Sequence, residues 1–255
     1  MSPATAPARV VFIGAGPGAA DLITLRGARR LALAEVVLFD ALIDPALREY
    51  APNARWIDVG KRGFGHATGQ TQINALLLQA AQTHQHVVRL KGGDPSVFGR
   101  LEEELEALRS QGIACEVVPG VTAALAAAAH SQRPLTRRGI GRSVSLSTAM
   151  THLGQLQAGR NADTEVFYMA GRQLPALSRK LTEAGWPGTT AVCVVSRAGW
   201  PDGLTTLHSV ATLADAAAPH ADRPAVVTVG AGALALTDKT PCLERHQAYQ
   251  TEPAP

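Results

Sequence analysis

The feature that most constrains the fold is a unit that occurs five times before residue 131: a short apolar strand, a loop and a helix. The strands are predicted at residues 9–13, 36–39, 56–59, 87–90 and 113–118. Strands joined through helices in this way pair in parallel, and their sheet is covered by helices on both faces. The sequence therefore predicts an α/β fold with a mainly parallel N-terminal sheet.

The segment 131–139 interrupts this pattern, and a second α/β unit is predicted after it. Its strands are expected at residues 144–147, 165–169, 191–196, 204–207 and 225–229. Its helices are expected near residues 152–156, 174–184 and 210–217. We expect a mixed C-terminal sheet, with domains over residues 1–133 and 134–240 and a loose tail over residues 241–255.

Composition narrows the class of protein. The chain has 255 residues, of which 46% are hydrophobic and 18% charged, as in globular proteins, and its net charge is +3. Without a long run of Lys or Arg, this charge favours an anionic small molecule over nucleic acid or a membrane as partner. The missing signal peptide and three cysteines without metal-type spacing predict a cytoplasmic setting, with Cys115 and Cys193 as buried thiols.

The fourth strand runs directly into the turn Gly92-Gly93. Glycine allows the left-handed backbone and lets a ligand approach closely, and ligands of open α/β sheets bind at the carboxyl ends of the strands. This turn is therefore a candidate ligand contact, although a tight turn without a ligand explains it equally well. Asp94-Pro95 favours a helix that begins at Pro95 with Asp94 as its N-cap.

That helix is predicted to be amphipathic. We expect one stripe of side chains to face the sheet: Val97, Leu101, Leu105 and Leu108. The neighbouring face carries three charged residues at helical spacing: Arg100, Glu103 and Glu104. On spacing alone they form surface ion pairs worth ~0.3–0.5 kcal/mol.

A dinucleotide-binding fingerprint, Gly14-x-Gly16-x-x-Ala19, follows the first strand. Asp40 ends the second strand, where a ribose-binding acid would lie, so a nicotinamide-dependent dehydrogenase is one alternative. Pro17 argues against it, because proline removes an N–H from the turn that should bind pyrophosphate. His84-x-His86 offers two metal ligands without a third, so no metal site is predicted.

Seven motifs occur in order and together resemble the tetrapyrrole methylase family, with the uroporphyrinogen-III C-methyltransferases as the most similar branch. They are VFIGAGPG at 11–18, VVLFD at 36–40, GKR at 60–62, the stretch 70–74, the stretch 89–100, VPGVT at 118–122 and PLT at 134–136. The resemblance covers residues 9–230, and its N-terminal half is highly specific.

The resemblance implies two α/β domains with an active cleft between them, usually in a homodimer. It implies S-adenosylmethionine as the methyl donor, bound across the glycine turns, with S-adenosylhomocysteine as product. The substrate would be uroporphyrinogen III, methylated twice to precorrin-2 for sirohaem or cobalamin synthesis. Methyl transfer is largely a matter of positioning, and the substrate carbon is itself the nucleophile, so no protein nucleophile is needed.

The resemblance also implies roles for individual residues. Asp40 would be the proton acceptor and Lys61 the proton donor, whereas on the residues alone they are more simply a loop-capping acid and a solvated lysine. Arg100 and Glu103 would act at the substrate, where Arg62 and Arg138 would bind its carboxylates. The positions that match the family's cofactor site are Pro17, Gly92, Gly93, Asp94, Val97, Thr122, Ala123, Met169, Ala198 and Ala225.

The sequence departs from the family pattern at several positions. Leu101-Glu102 stands where two glycines are usual, Ala170 replaces a glycine, and Ala198-Gly199-Trp200 replaces a Gly-Thr pair, while the stretch 147–150 lacks Thr-Gly-His. We expect these differences to affect the substrate or the donor affinity more than the fold, with Leu101 crowding the site. Methylation of another precorrin, or binding without turnover, are the alternatives within the family.

Overall fold

A computed structural model describes residues 9–60, 69–149 and 155–236 of the chain. The first sheet has five strands in the order β3-β2-β4-β1-β5, and every pair is parallel. The strands are β1 (Val10–Gly14), β2 (Val36–Phe39), β3 (Arg55–Asp58), β4 (Val87–Lys91) and β5 (Cys115–Val118). The predicted parallel sheet is confirmed.

Helices cover both faces of this sheet, because side chains alternate along each buried strand. Helices α2 (Gln70–Thr83) and α3 (Leu101–Arg109) pack on the face that carries Phe12 and Leu38. Helix α1 (Leu25–Leu31) and the 3-10 helix Pro45–Tyr50 contribute to the core of the opposite face. A further 3-10 turn, Ala20–Leu22, precedes α1.

The second sheet has the order β6-β7-β10-β8-β9. Its strands are β6 (Val144–Thr148), β7 (Thr164–Tyr168), β8 (Ala191–Ser196), β9 (Leu204–Ser209) and β10 (Ala225–Gly230). Only β6 and β7 pair in parallel, and the other pairs within these described strands are antiparallel. The predicted mixed sheet is therefore confirmed, and with it the α/β fold class.

Among the residues that the structure describes, two helices cover the second sheet. Helix α5 (Leu174–Glu183) packs its leucines on the face of Phe167, and α4 (Ala123–His130) packs on the other face. The alanines of α4 lie against Val166, Cys193 and Val226. A helix that precedes residue 133 thus contributes to the second core, and the domain division at that residue stays a prediction.

The prediction that a helix begins at Pro95 is wrong, because α3 begins at Leu101. The Asp94 carboxylate accepts hydrogen bonds from the backbone N–H of Ser96 and, across the chain, from that of Gly120, at 2.8 and 2.9 Å. The bond from Gly120 links the ends of β4 and β5, and it holds the residues between Asp94 and Leu101 in a loop. Arg100, at φ 54°, precedes the helix in the left-handed conformation.

The later start changes which side chains of α3 face inward. Val97 lies in the loop and is not part of the apolar stripe, whereas Leu101, Leu105 and Leu108 pack in the core as predicted. Glu104 was expected on the charged outer face, but it is 1% exposed and points toward the sheet. The reason is a set of buried cations on β4, described below.

The remaining predictions for the C-terminal half have mixed outcomes. The segment 210–217 contains a 3-10 turn, Leu213–Ala216, rather than an α-helix, and another such turn, Ala231–Ala233, follows β10. Most of the helix expected near 152–156 and the tail 241–255 lie outside the described residues. In the described part of the chain, no helix has the length and apolar character needed to cross a membrane.

Both strand cysteines lie in the sheets, but the prediction that both are buried holds only for Cys193. Cys193 is buried in β8, and Cys115 is half-buried at the start of β5. Burial raises the pKa of both thiols above the ordinary value. Both therefore behave as packing residues at neutral pH.

Candidate active site

The ends of three parallel strands meet in close backbone contact. Gly16 and Gly93 exchange two backbone hydrogen bonds, of 3.2 and 2.7 Å, and both adopt positive φ. Between β1 and β5 the backbones nearly touch, because a methyl group on Gly14 would lie 2.6 Å from the Cα of Gly120. These contacts, with the Asp94 bond to Gly120, fix the glycine turn in place.

A cavity of about 360 Å³ lies between this edge of the first sheet and the second sheet. All ten residues predicted for cofactor binding line it: Pro17, Gly92, Gly93, Asp94, Val97, Thr122, Ala123, Met169, Ala198 and Ala225. Asp40 also lines the cavity, with its side chain 32% exposed. The residues predicted from motifs in both halves of the chain therefore meet at one cavity.

Several lining residues were not predicted. Phe98, Tyr168, Arg197 and Trp200 all contribute to the wall. Phe98, Met169 and Arg197 adopt positive φ although none is glycine. Such strained backbone is concentrated at functional sites, which supports a functional role for this cavity.

Tyr168, at the end of β7, joins the second sheet to the start of α4. Its hydroxyl lies 2.7 Å from Thr122 Oγ1 and accepts a hydrogen bond from the Ala124 backbone N–H at 3.2 Å. Its ring also packs edge-to-face against Phe98, with 5.0 Å between centroids. One side chain thus satisfies a free helix N–H and shapes the cavity wall.

The loop after β8 spans the gap to the first sheet. The Ala19 N–H donates to the Gly199 carbonyl at 3.2 Å, and a methyl group on Gly18 would lie 2.6 Å from the Trp200 ring. The Arg197 guanidinium lies over the Trp200 ring at 4.6 Å and bonds Asp202 at 2.8 Å. Trp200 therefore closes one part of the cavity.

A hydrogen-bond chain through the buried side chains of His220 and Ser196 lies at the end of β8, where this loop begins. His220 Nδ1 lies 2.9 Å from Ser196 Oγ, and its Nε2 lies 2.8 Å from Thr206 Oγ1. Arg223 Nε also donates to Ser196 Oγ at 2.9 Å. Burial lowers the pKa of His220 below its ordinary value near 6.5, and the nearby charges of His208 and Arg223 lower it further.

Two of the residues predicted to act at the substrate, Arg100 and Glu103, lie outside the cavity wall. Arg100 and Glu103 bond each other at 2.7 Å, each side chain is 46% exposed, and neither lines the cavity. Their hydrogen bond raises the pKa of Arg100 and lowers the pKa of Glu103. This is the surface ion pair that their spacing predicts.

Of the three remaining substrate positions, the structure describes only Arg138. Arg138 lines a separate depression formed by residues 136–142 and Asp163. Lys61 and Arg62 lie outside the described residues. Of the residues that the structure describes, Arg197 is the cation that lines the cavity, and neither its position in the chain nor a motif pointed to it.

Of the positions that depart from the family pattern, some lie in the core and others line the cavity. Leu101 packs in the core between α2, α3 and the sheet, so the expectation that it crowds the site is wrong. Ala170 is fully buried in the core beside α5. Ala198 and Trp200 do line the cavity, and so they are the departures that bear on its shape.

A comparison with protein families finds one match that spans most of the chain. The model of the Tetrapyrrole (Corrin/Porphyrin) Methylases matches residues 9–217. The chain belongs to this family. The resemblance drawn from the seven motifs is thereby confirmed.

Individual relatives agree with this assignment. A siroheme synthase of Xylella fastidiosa (strain M12) is 39% identical over 93% of this chain, and one of Escherichia coli O81 (strain ED1a) is 38% identical over 93%. These alignments cover 51% and 52% of the relatives. The chain therefore spans about half the length of the curated relatives it matches.

Solved structures match over nearly their whole length. The uroporphyrin-III C-methyl transferase of Thermus thermophilus, complexed with S-adenyl homocysteine, has a TM-score of 0.77 at 35% identity, covering 87% of this chain and 97% of that one. A cobalt precorrin-4 methyltransferase also has a TM-score of 0.77, at 28% identity, with coverages of 89% and 96%. The methyl donor predicted from the sequence agrees with the ligand of the first structure.

Proposed function

We propose that this chain transfers two methyl groups from S-adenosylmethionine to ring carbons of uroporphyrinogen III, forming precorrin-2 for sirohaem or cobalamin synthesis. One observation carries the proposal. The ten residues predicted for the cofactor, drawn from six separate loops and element ends, converge on one cavity that also holds Asp40. The similarity to a uroporphyrin-III C-methyl transferase supports the choice of substrate.

The shape of the cavity fits a nucleoside with an attached sulfonium. A methyl group on Gly92 would meet no atom within 4 Å, and one on Gly93 would meet none closer than 3.8 Å, so the backbone there is open to a ligand. Val97, Met169 and Ala225 supply apolar surface. A mostly apolar cavity with a few polar groups is typical of small-molecule sites.

The chemistry assigned to the protein is positioning and proton transfer. When bound, S-adenosylmethionine supplies an electrophilic methyl group. Each transfer adds a methyl cation to the ring system, which then loses one proton, and Asp40 accepts that proton. Lys61 keeps the proton-donor role that the family resemblance implies. The family resemblance supports Arg62 and Arg138 for the substrate carboxylates and the Arg100–Glu103 pair for a role at the substrate, although Arg138 lines a separate depression. Arg197 adds a cation in the cavity wall.

The proposal is tested by incubating the purified chain with uroporphyrinogen III and methyl-labelled S-adenosylmethionine. Mass spectrometry should find a product with two added methyl groups. Calorimetry should show binding of S-adenosylhomocysteine and none of NADH. Tight binding of NADH alone would overturn the proposal in favour of a dehydrogenase, and donor binding without transfer would leave a binding protein.

Methylation of another precorrin is the second candidate. The cobalt precorrin-4 methyltransferase matches this fold with the same TM-score as the uroporphyrin-III enzyme, and Trp200 departs from the family pattern in the cavity wall. A later corrin precursor in the same assay separates the two. Faster transfer to that precursor would favour this candidate.

The homodimer implied by the family resemblance stays a prediction. Sedimentation of the purified chain measures it directly, with a particle of twice the 26.6 kDa chain mass as the expected result. A single-chain particle at micromolar concentration would contradict it.

A further inference from the structure

Behind the cavity wall, four charged side chains form one connected network. Asp40 Oδ1 accepts a hydrogen bond from Arg89 Nη2 at 2.6 Å. Arg89 in turn contacts both carboxylate oxygens of Glu104, at 3.2 to 3.3 Å. Lys91 Nζ lies 2.9 Å from Glu104 Oε1. The network therefore joins the end of β2, the strand β4 and the helix α3.

The network is buried everywhere except at Asp40. Arg89 and Lys91 are each 2% exposed and Glu104 is 1% exposed, whereas the Asp40 side chain keeps 32% of its surface in the cavity wall. Two cations face two carboxylates, so the formal charges balance. Burial lowers the pKa of Lys91, as does the neighbouring charge of Arg89, while Glu104 opposes the shift.

The guanidinium of Arg89 has little freedom to turn. Its Nε and Nη2 bond Glu104, and its Nη1 donates to the carbonyls of Leu90 and Leu38, at 3.1 and 3.4 Å. A planar group held on three sides presents its remaining N–H in one direction. That direction is toward Asp40 Oδ1.

Stability alone is a weak explanation for such a network. Moving charges out of water is costly, and apolar residues of similar volume often replace buried ion pairs without loss of stability. The surrounding face is a core of Phe12, Leu38 and Leu108, which offers apolar neighbours for such a replacement. The one part of the network that reaches the cavity is the Asp40 carboxylate.

We infer that Glu104, through Arg89, is a positioning residue that holds the Asp40 carboxylate in the orientation needed for methyl transfer. The inference rests on the proposed function, in which Asp40 accepts the proton. Glu104 orients Arg89, Arg89 fixes one oxygen of Asp40, and Lys91 balances the charge of Glu104. Catalytic groups depend on neighbours that lock their orientation in this way.

The test is the variant Glu104→Gln, which keeps the size of the side chain and removes its charge. We expect kcat for methyl transfer to fall at least about tenfold. The dissociation constant of S-adenosylhomocysteine should stay within about twofold, because Glu104 does not line the cavity. Glu106→Gln on the exposed side of α3 is the matched control and should keep the kcat of the original chain.

A second variant restores the balance of charge. In Glu104→Gln, two buried cations share one carboxylate, so adding Lys91→Met leaves Arg89 with Asp40 alone. The double variant should stay as slow as Glu104→Gln, because Arg89 still lacks the carboxylate that orients it. Recovery of kcat would assign the effect to charge balance and overturn the positioning role. If Glu104→Gln does not fold, Arg89→Lys replaces it: lysine keeps the cation but loses the planar fork, and the same loss of kcat is expected.

The outcomes separate the two proposals. Full kcat in folded Glu104→Gln overturns the positioning role while the proposed function stands. Parallel loss of kcat and of S-adenosylhomocysteine binding assigns the network to holding the fold and also overturns it. If the unchanged chain binds S-adenosylhomocysteine but transfers no methyl group, the proposed function fails and the inference fails with it.

Discussion

At the scale of single residues, the glycines around the cavity differ in what surrounds them. A methyl group on Gly92, which lines the cavity, would meet no atom within 4 Å, whereas one on Gly120 would lie 2.4 Å from the Gly93 carbonyl oxygen. The first glycine leaves room for a ligand, and the second leaves room for the protein backbone. Sequence alone does not separate these roles, because both glycines follow a predicted strand.

Gly92→Ala should therefore fold normally and bind S-adenosylhomocysteine at least about tenfold more weakly, which is ~1.4 kcal/mol. Gly120→Ala should lower the free energy of unfolding by ~1–3 kcal/mol, because the backbone has to move. Calorimetry and urea denaturation measure the two effects. Gly69→Ala, also in open space but at the start of α2, is the control. Unchanged affinity in Gly92→Ala would mean that the ligand does not approach this turn.

Asp40→Ala tests the proposed proton acceptor, which also lines the cavity. We expect methyl transfer to fall ~10²–10⁴-fold, the usual contribution of a proton acceptor, while S-adenosylhomocysteine binding is nearly unchanged. Turnover assays and calorimetry on the same preparation give both values. A variant with full activity would remove Asp40 from the mechanism.

At the scale of elements, the strands were predictable and the start of α3 was not. Runs such as Val87-Val88 and Val36-Val37 are β-branched and apolar, so composition within the run is enough. Asp94-Pro95 carries a strong local helix signal, but the bond from Gly120 to Asp94 comes from 26 residues further along the chain. No local pattern contains such a contact.

In the candidate site, too, residues within sequence motifs were predicted, whereas residues whose role depends on contacts distant in the chain were not. Gly92, Met169 and the other cofactor positions were found through motifs, which carry information from related proteins. Glu104 was misplaced, because a glutamate beside Glu103 on a helix is usually solvated, and its buried cations lie on β4. Arg197 follows no motif, so only the fold shows that it reaches the cavity.

The link between β7 and α4 can be tested with Tyr168→Phe. Removing the hydroxyl leaves the Ala124 N–H and the Thr122 hydroxyl without this partner. We expect a loss of ~0.5–1.5 kcal/mol in the free energy of unfolding, measured by urea denaturation. Tyr50→Phe, at an exposed tyrosine, should change stability much less. Equal losses in the two variants would show that the hydroxyl bonds at Tyr168 add nothing.

At the scale of the whole molecule, the buried His220 makes stability depend on pH. Its pKa is lowered in the folded chain, so the neutral form is favoured there. The full contribution is present above pH ~6.5, where both states are neutral. As pH falls below that value, the unfolded chain binds a proton that the folded chain does not, and stability decreases until the pH reaches the lowered pKa.

We therefore expect the free energy of unfolding to decrease as the pH falls below ~6.5, with a slope of at most ~1.4 kcal/mol per pH unit from this group. His220→Gln should flatten the slope in urea denaturation measured across this range. The exposed His86→Gln should leave it unchanged. The same slope in His220→Gln as in the original chain would assign the pH dependence to other groups.

The position of Trp200 has a practical consequence for measuring the system. The chain has three tryptophans, all in described segments, and Trp200 is the one that lines the cavity. Intrinsic fluorescence should therefore change when the cavity fills, and the change should vanish in Trp200→Phe while the emission of Trp56 and Trp186 remains. Stopped-flow recording of that signal would follow occupancy in real time without a labelled ligand.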